Sequence, residues 1–311
     1  MDFLTTTRVG GRRANLRMDR FLADRYGYLS RNEWQEEILR GKISVNGMTE
    51  RRRDRILREG DVIAYAGRDA PEPPVETGYR IVYEDEWLIV VDKPGNLPVH
   101  PAGVFYHNTL ISLLQPCYPQ GLHIINRLDR GTSGVMIIAK QAETAAQLRR
   151  ELPSLKKTYI AIVRGRPGRT RFVVDAPLDR EEKEGLAPRM VARREGRWKA
   201  VTEFTCLDAA GGLSLMKAVP LTGRRHQIRA HALYAGCPIV GDRLYEGEGA
   251  PRRDRLREDR RITSSEGQDA RICLHSRSIR FTHPITARIM RVVSDLPADM
   301  RRVYEQGGGD G

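Results

Sequence analysis

Apolar and polar positions along this 311-residue chain follow two periods, and the changes of period mark its organisation. Residues 16–25 carry apolar positions at helical spacing. A second helix is predicted to open at Ser30. Glu33, three residues on, completes a capping box, Trp34, Ile38 and Leu39 form the apolar stripe, and Gly41 ends it. Ile43-Ser44-Val45-Asn46-Gly47 then alternates into an Asn-Gly turn, and Gly60-Asp61-Val62-Ile63-Ala64-Tyr65 returns as a strand. Pro71, Pro73 and Pro74 interrupt the pattern, which predicts a semi-extended linker over 67–78. From 79 to 304, short strand-like runs mix with helical ones without regular βαβ spacing, so the expected class is α+β. The chain therefore reads as a small α/β module over 16–66 and a larger domain over 79–304. Residues 1–15 and 305–311 are predicted disordered, and the Arg-rich stretch 247–269 reads as a charged insertion.

Charge narrows the class of partner. Lys and Arg total 53 against 40 Asp and Glu, a net +13, which favours a polyanion because each cation set on a phosphate releases counterions. Eight of the 53 are Lys, and the dominant Arg can both grip phosphate and stack on a base. The longest apolar runs, Leu88-Ile89-Val90-Val91 and Val135-Met136-Ile137-Ile138-Ala139, are strand-length, so no membrane or export segment is expected. Cys117, Cys206, Cys237 and Cys273 form no C-x-x-C pair and no zinc spacing; they read as reduced core thiols of a cytoplasmic protein, with no metal. No G-x-x-x-x-G-K-[ST] or G-x-G-x-x-G loop is present. No nucleotide cofactor is expected, and a methyltransferase reading has no donor loop.

The chemistry concentrates at Arg127-Leu128-Asp129-Arg130-Gly131-Thr132-Ser133-Gly134, which runs into an apolar strand and Lys140. Flanking cations keep a carboxylate ionised, and an ionised carboxylate can attack a sugar or base carbon. A bare Arg-x-Asp triplet is more often a salt bridge at a turn. The longer string resembles the signature of the large-subunit ribosomal pseudouridine synthase family, and further blocks match in the same order. They are Tyr83-Glu84-Asp85 with Val91-Asp92-Lys93-Pro94-Gly95 through His100-Pro101; Lys157-Thr158-Tyr159-Ile160-Ala161; and Thr222-Gly223-Arg224-Arg225-His226-Gln227-Ile228-Arg229-Ala230-His231, continuing to Gly241-Asp242 and Tyr245. Leu274-His275-Ser276 and His283-Pro284 close the set. The resemblance covers nearly all of residues 79–300.

That resemblance implies a pseudouridine synthase fold with a central, mostly antiparallel sheet, and an isomerase that needs no cofactor. It implies Asp129 as the catalytic carboxylate, Arg229 as the cation paired with it and Tyr159 as the platform under the flipped uracil. Arg127 would fill the vacated base stack, and Leu274 would wall the uracil pocket. Residues 16–66 resemble a small RNA-binding domain shared with a small-subunit ribosomal protein and some tRNA synthetases. Its marks are Arg17-Met18-Asp19-Arg20-Phe21-Leu22, Ser30-Arg31 and Gly41-Lys42-Ile43-Ser44-Val45-Asn46-Gly47. Two residues depart from the family pattern: Asn126 stands where His is usual, and Arg225 where Thr is usual. The expected partner is large-subunit ribosomal RNA or a pre-ribosomal particle, engaged by a monomer. Transfer RNA is the runner-up target, and a non-catalytic ribosome-assembly factor is the competing class.

Overall fold

A computed structural model describes residues 5–25, 31–66, 72–101, 105, 107–182, 188–246 and 271–307. They fall into two compact units, Met1–Pro73 with His100–Ser112, and Pro74–Val99 with Leu113–Gly311. The expected boundary after residue 66 thus moves to 73. Residues 100–112, read from sequence as part of the larger domain, group with the first unit, where the amides of His107 and Asn108 donate to the Glu72 carboxylate.

The first unit holds β1 (Thr5–Arg8), α1 (Met18–Arg25), α2 (Arg31–Leu39), β2 (Ile43–Val45), β3 (Met48–Glu50) and β4 (Val62–Tyr65). Its antiparallel sheet runs β1-β4-β2-β3. Asn46 and Gly47 both take positive φ, 53° and 82°, as a two-residue hairpin turn of the twist-matched type requires. Trp34 and Ile38 are fully buried and Trp34 packs edge-on against Tyr65, but Leu39 is 54% exposed and leaves the expected stripe. The capping residue Ser30 lies outside the described residues. The prediction of disorder over 1–15 is corrected from residue 5 onward. The Thr5-Thr6-Thr7-Arg8 segment has no apolar alternation, yet it pairs residue for residue with β4, because a backbone ladder forms regardless of side-chain polarity.

The second unit holds β5 (Arg80–Glu84), β6 (Leu88–Lys93), β7 (His123–Ile124), β8 (Ser133–Ala139), β9 (Lys156–Arg164), β10 (Arg171–Asp175), β13 (Val201–Ala210), β14 (Leu213–Pro220), β15 (Leu274–Thr282) and β16 (Ile289–Val293). A separate hairpin pairs β11 (Leu178–Glu181) with β12 (Arg189–Ala192), and the helices are α3 (Leu110–Leu114, at the unit boundary), α4 (Ala142–Arg150), α5 (Gln227–Tyr234) and α6 (Ala298–Gly307). Among the described residues the main sheet has ten strands in the order β10-β13-β14-β9-β15-β8-β6-β5, with β16 on β15 and β7 on β8. Only the β15–β8 pairing is parallel among the described residues. The class is α+β with a mostly antiparallel sheet.

The Val135–Ala139 run is wholly buried because both sheet faces are covered there, one of them by Ala145 and Leu148 of α4. Asp85 joins the two ends of the domain. It accepts from the amides of Trp87 and Leu88, the hydroxyl of Tyr83 and Nε2 of His283, 198 residues away. The first and last sequence blocks are therefore one contact.

Three further expectations change. The helix α6 runs to Gly307, so the tail read as disordered from 305 is helical for three more residues. Cys237 and Cys273 are buried, but Cys117 is exposed at a 3-10 turn and Cys206 is only half-buried, so two of the four thiols are not core. The charged insertion 247–269 lies outside the described residues. No described helix is long and apolar enough to cross a membrane.

Candidate active site

The loop between β7 and β8 carries Asp129. Asn126 fixes its start, with Oδ1 accepting the amide of Ile137 at 2.8 Å. This orienting contact needs no titratable group, so an amide suffices there. Its Nδ2 is buried without a partner. The loop ends at Gly134, whose φ is 108° and where a Cβ would collide with the backbone of Ser276; only glycine lets β8 lie this close to β15. Nε2 of His275 faces the Ser294 carbonyl, which can only accept, so a neutral ring takes the Ser133 hydroxyl proton at Nδ1 while the Ser133 oxygen accepts from Arg271. His275 is thereby a neutral donor to the Ser294 carbonyl, and burial pushes its pKa down to about 4.

Lys93, at the end of β6, holds the same loop from the other side. It is 1% exposed, and its ammonium donates to the carbonyls of Pro94, Leu97 and Arg130 at 2.8, 2.9 and 3.1 Å. Burial, helped by Arg271, pulls it down to about 7, while three carbonyl acceptors favour the charged form.

Asp129 faces α5. Arg229 donates Nη1 to Oδ2 of Asp129 at 2.9 Å, and Nε and Nη2 to the fully buried Asp242 at 2.6 and 2.7 Å. The guanidinium is thus used on two carboxylates, and it lies 4.9 Å from the centre of the Tyr245 ring. Burial alone would raise the Asp129 pKa, but His226 when charged, then Arg229 and Arg225, hold it below the ordinary value. His226 sits 3.8 Å away, with its own pKa pushed down to about 3 by burial and by Arg229. Near neutral pH it is uncharged, so the arginines hold the carboxylate ionised. Asp129 is ringed by protein yet 32% of its side chain remains reachable, and Oδ1 accepts no hydrogen bond from a described residue.

The helix α5 is tied down by its polar side chains. Gln227 bonds Thr222, Arg224, Val201 and Thr202, and His231 bonds Thr202 and the Ala176 carbonyl. The Thr222–His231 block becomes helical only at Gln227, after His226 takes a left-handed conformation.

Tyr159 is 8% exposed on β9, opposite Ser276, and burial pushes its pKa up to about 12. Leu274 pairs with Ala161, two residues on, so Leu274 and Tyr159 share one face of the sheet. Leu274 is 4% exposed. Arg127 is exposed and takes no hydrogen bond or ion pair among the described residues. The site thus brings together Asp129 and Arg229, sets Tyr159 and Leu274 on the neighbouring strands, and leaves Arg127 at the loop surface. Sequence reasoning gave no role to Asp242, Tyr245, His226 or Lys93, though all four lie in the matching blocks. For Lys93 the available signal was a lysine closing an apolar strand. Among the described residues no group of three His, Cys, Asp or Glu could hold a metal.

Known proteins resemble this chain over much of its length. A family model described as RNA pseudouridylate synthase matches residues 87–234. A Ribosomal large subunit pseudouridine synthase D from Xanthomonas campestris pv. campestris is 32% identical, over 93% of this chain and 88% of its own. The mitochondrial tRNA pseudouridine(32) synthase of Saccharomyces cerevisiae is 33% identical over 69% of this chain and 47% of its own. Among solved structures, Human RNA Pseudouridylate Synthase Domain Containing 4 aligns with TM-score 0.56 and 27% identity, covering 73% of this chain and 92% of that one.

Proposed function

Because this chain belongs to the RNA pseudouridine synthase family and isomerises uridine to pseudouridine in RNA, we propose that Asp129 performs the reaction and that large-subunit ribosomal RNA is the target, met by a cytoplasmic monomer. The observation that carries the catalytic assignment is a carboxylate held ionised through Oδ2 by Arg229, with Oδ1 left open. The reaction breaks N1–C1′, turns the uracil, and joins C5 to C1′; the hydrogen on C5 is lost and N1 gains one. An ionised carboxylate can serve it as nucleophile or as base. Tyr159 and Leu274, on one sheet face, are assigned to the uracil plane and pocket wall. Coverage supports the target: the relative named for the large subunit aligns along almost its whole length, the one named for tRNA along less than half. The basic first unit is assigned to RNA backbone contact, with exposed arginines such as Arg20 and Arg52.

The test is a map of pseudouridines in cells with and without this protein. Sites should vanish from large-subunit RNA. Loss confined to transfer RNA would move the target, and an unchanged map would return the assembly-factor reading.

Arg127 carries a second expectation. Its exposed guanidinium, unengaged by any described residue, suits the gap left by an extruded uridine. Unstacking costs a few kcal/mol, and least where a base is already unpaired, so Arg127→Ala should be slowed roughly ten- to hundredfold on a paired site only. Single-turnover rates on paired and unpaired versions of one stem-loop decide this. Equal defects on both would put Arg127 in electrostatic support of Asp129 instead.

A further inference from the structure

His226 is the first non-helical residue before α5, and its backbone sits at φ 53° and ψ 19°. That left-handed conformation disfavours a β-carbon and suits Gly or Asn better. The imidazole is almost enclosed, with 9% of the side chain exposed, and its edge meets the Tyr245 ring at 77°. The hydroxyl of Tyr245, a residue 1% exposed, accepts the amide of Met190 at 2.9 Å, and its own buried proton needs an acceptor, which Nδ1 of His226 supplies at 3.1 Å. A ring that accepts at Nδ1 carries its proton on Nε2. That nitrogen faces Oδ2 of Asp129 at 3.8 Å, the oxygen that already takes Arg229. The separation exceeds a hydrogen bond, and catalytic hydrogen bonds commonly tighten only when substrate is bound.

Resting on the assignment of Asp129 as the reacting carboxylate, we propose that His226 is a positioning residue for the isomerisation. Its Nε2–H closes on Oδ2 of Asp129 when uridine enters, and Oδ1 is left as the oxygen that meets the substrate. The Tyr245–Met190 relay fixes the tautomer, which makes the ring a neutral donor beside a carboxylate that must stay both ionised and aimed. A cation there would add charge, whereas a neutral donor adds direction.

Two substitutions separate this role from simple packing. In His226→Gln the amide nitrogen can reproduce Nε2 but not the partner of Tyr245. In His226→Asn the amide can reproduce the contact to Tyr245, and Asn tolerates the left-handed backbone best, but nothing reaches Asp129. A strut would make Asn the better replacement; a positioning donor makes Gln the better one. The readout is tritium release from 5-tritiated total RNA prepared from cells lacking this chain, with melting temperatures recorded for each variant. His226→Asn should melt near wild type, lose roughly ten- to hundredfold in kcat, the effect of one hydrogen bond to a charged group, and keep its KM. His226→Gln should keep the higher kcat despite melting lower. An Asn variant as fast as Gln, or a loss confined to KM, overturns the proposal. Should the variants not fold, 15N spectra of the wild-type imidazole decide: a proton on Nδ1 of His226 overturns it, and one on Nε2 supports it. Asp129→Asn run alongside tells the two claims apart. If that variant still turns over, it is the catalytic assignment that falls.

Discussion

Asp129→Asn should abolish release of the C5 hydrogen while RNA binding persists. The amide is nearly the shape of the carboxylate, so the loop held by Asn126 and Lys93 has no reason to move. Arg229 keeps both bonds to Asp242, which leaves the guanidinium anchored. What disappears is the anionic oxygen. A positioned base is worth roughly a hundred- to ten-thousandfold, and a nucleophile that cannot form its bond leaves no route at all. Stability should change little, with a recognisable sign. The Asp129 pKa in the folded protein lies below its ordinary 3.8, so its contribution is present above that pH and fades as acid protonates it. The wild type should therefore melt slightly above the variant at neutral pH, and the gap should close on acidification below 3.8. Tritium release measured beside a filter-binding curve checks the first claim. Turnover within tenfold of wild type would remove Asp129 from the reaction.

The strand that follows Asp129 was legible because an uninterrupted apolar run has one stable fate, burial on both faces. The Asn46-Gly47 turn was legible because its two residues tolerate positive φ where most others strain. Apolar periodicity was silent on contacts made by polar groups far apart in the chain. Nothing local in Asp85 or His283 announces a partner 198 residues away, and nothing in the Thr5–Arg8 strand announces β4. Within the site, the carboxylate and its arginine could be named from the motif, but the second carboxylate on that arginine could not. Asp242 looks like a turn residue in sequence; only burial at 0% exposure reveals it as the counter-charge that fixes Arg229. The left-handed backbone of His226 escaped for a related reason, since a histidine at φ 53° is an exception to its own preference. Misreadings of thiol burial and of α6 came from treating residue type or a glycine-rich end as decisive when tertiary contacts were.

That second carboxylate makes Arg229→Ala the most damaging single change expected in this protein. Arg229 is 6% exposed and serves two acids, one fully buried and one reachable. Removing it leaves Asp242 in the protein interior without its guanidinium and Asp129 without its nearest cation. Breaking a buried pair by deleting one partner costs roughly 3–5 kcal/mol, because the remaining charge is no longer compensated. For a chain of this size that lowers the melting temperature by on the order of 10 °C. Activity should vanish with it, since an Asp129 freed of Arg229 is no longer held ionised and aimed. The pH dependence gives the mechanism away. In the wild type the guanidinium favours the Asp129 carboxylate as an anion; in the variant burial acts on it unopposed and raises its affinity for protons. A carboxyl that can accept a proton is cheaper to bury than an anion, so the variant should recover stability relative to the wild type as pH falls from 7 toward 5. Calorimetry at both pH values tests this. A variant that melts with the wild type at pH 7 would mean that Arg229 is not the brace between the two acids, and a gap unmoved by acid would mean that it does not hold Asp129 ionised. Arg229→Lys refines the result: an ammonium can meet one carboxylate but lacks the fork that spans two, so it should restore part of the melting temperature while leaving Asp129 misaimed and turnover low.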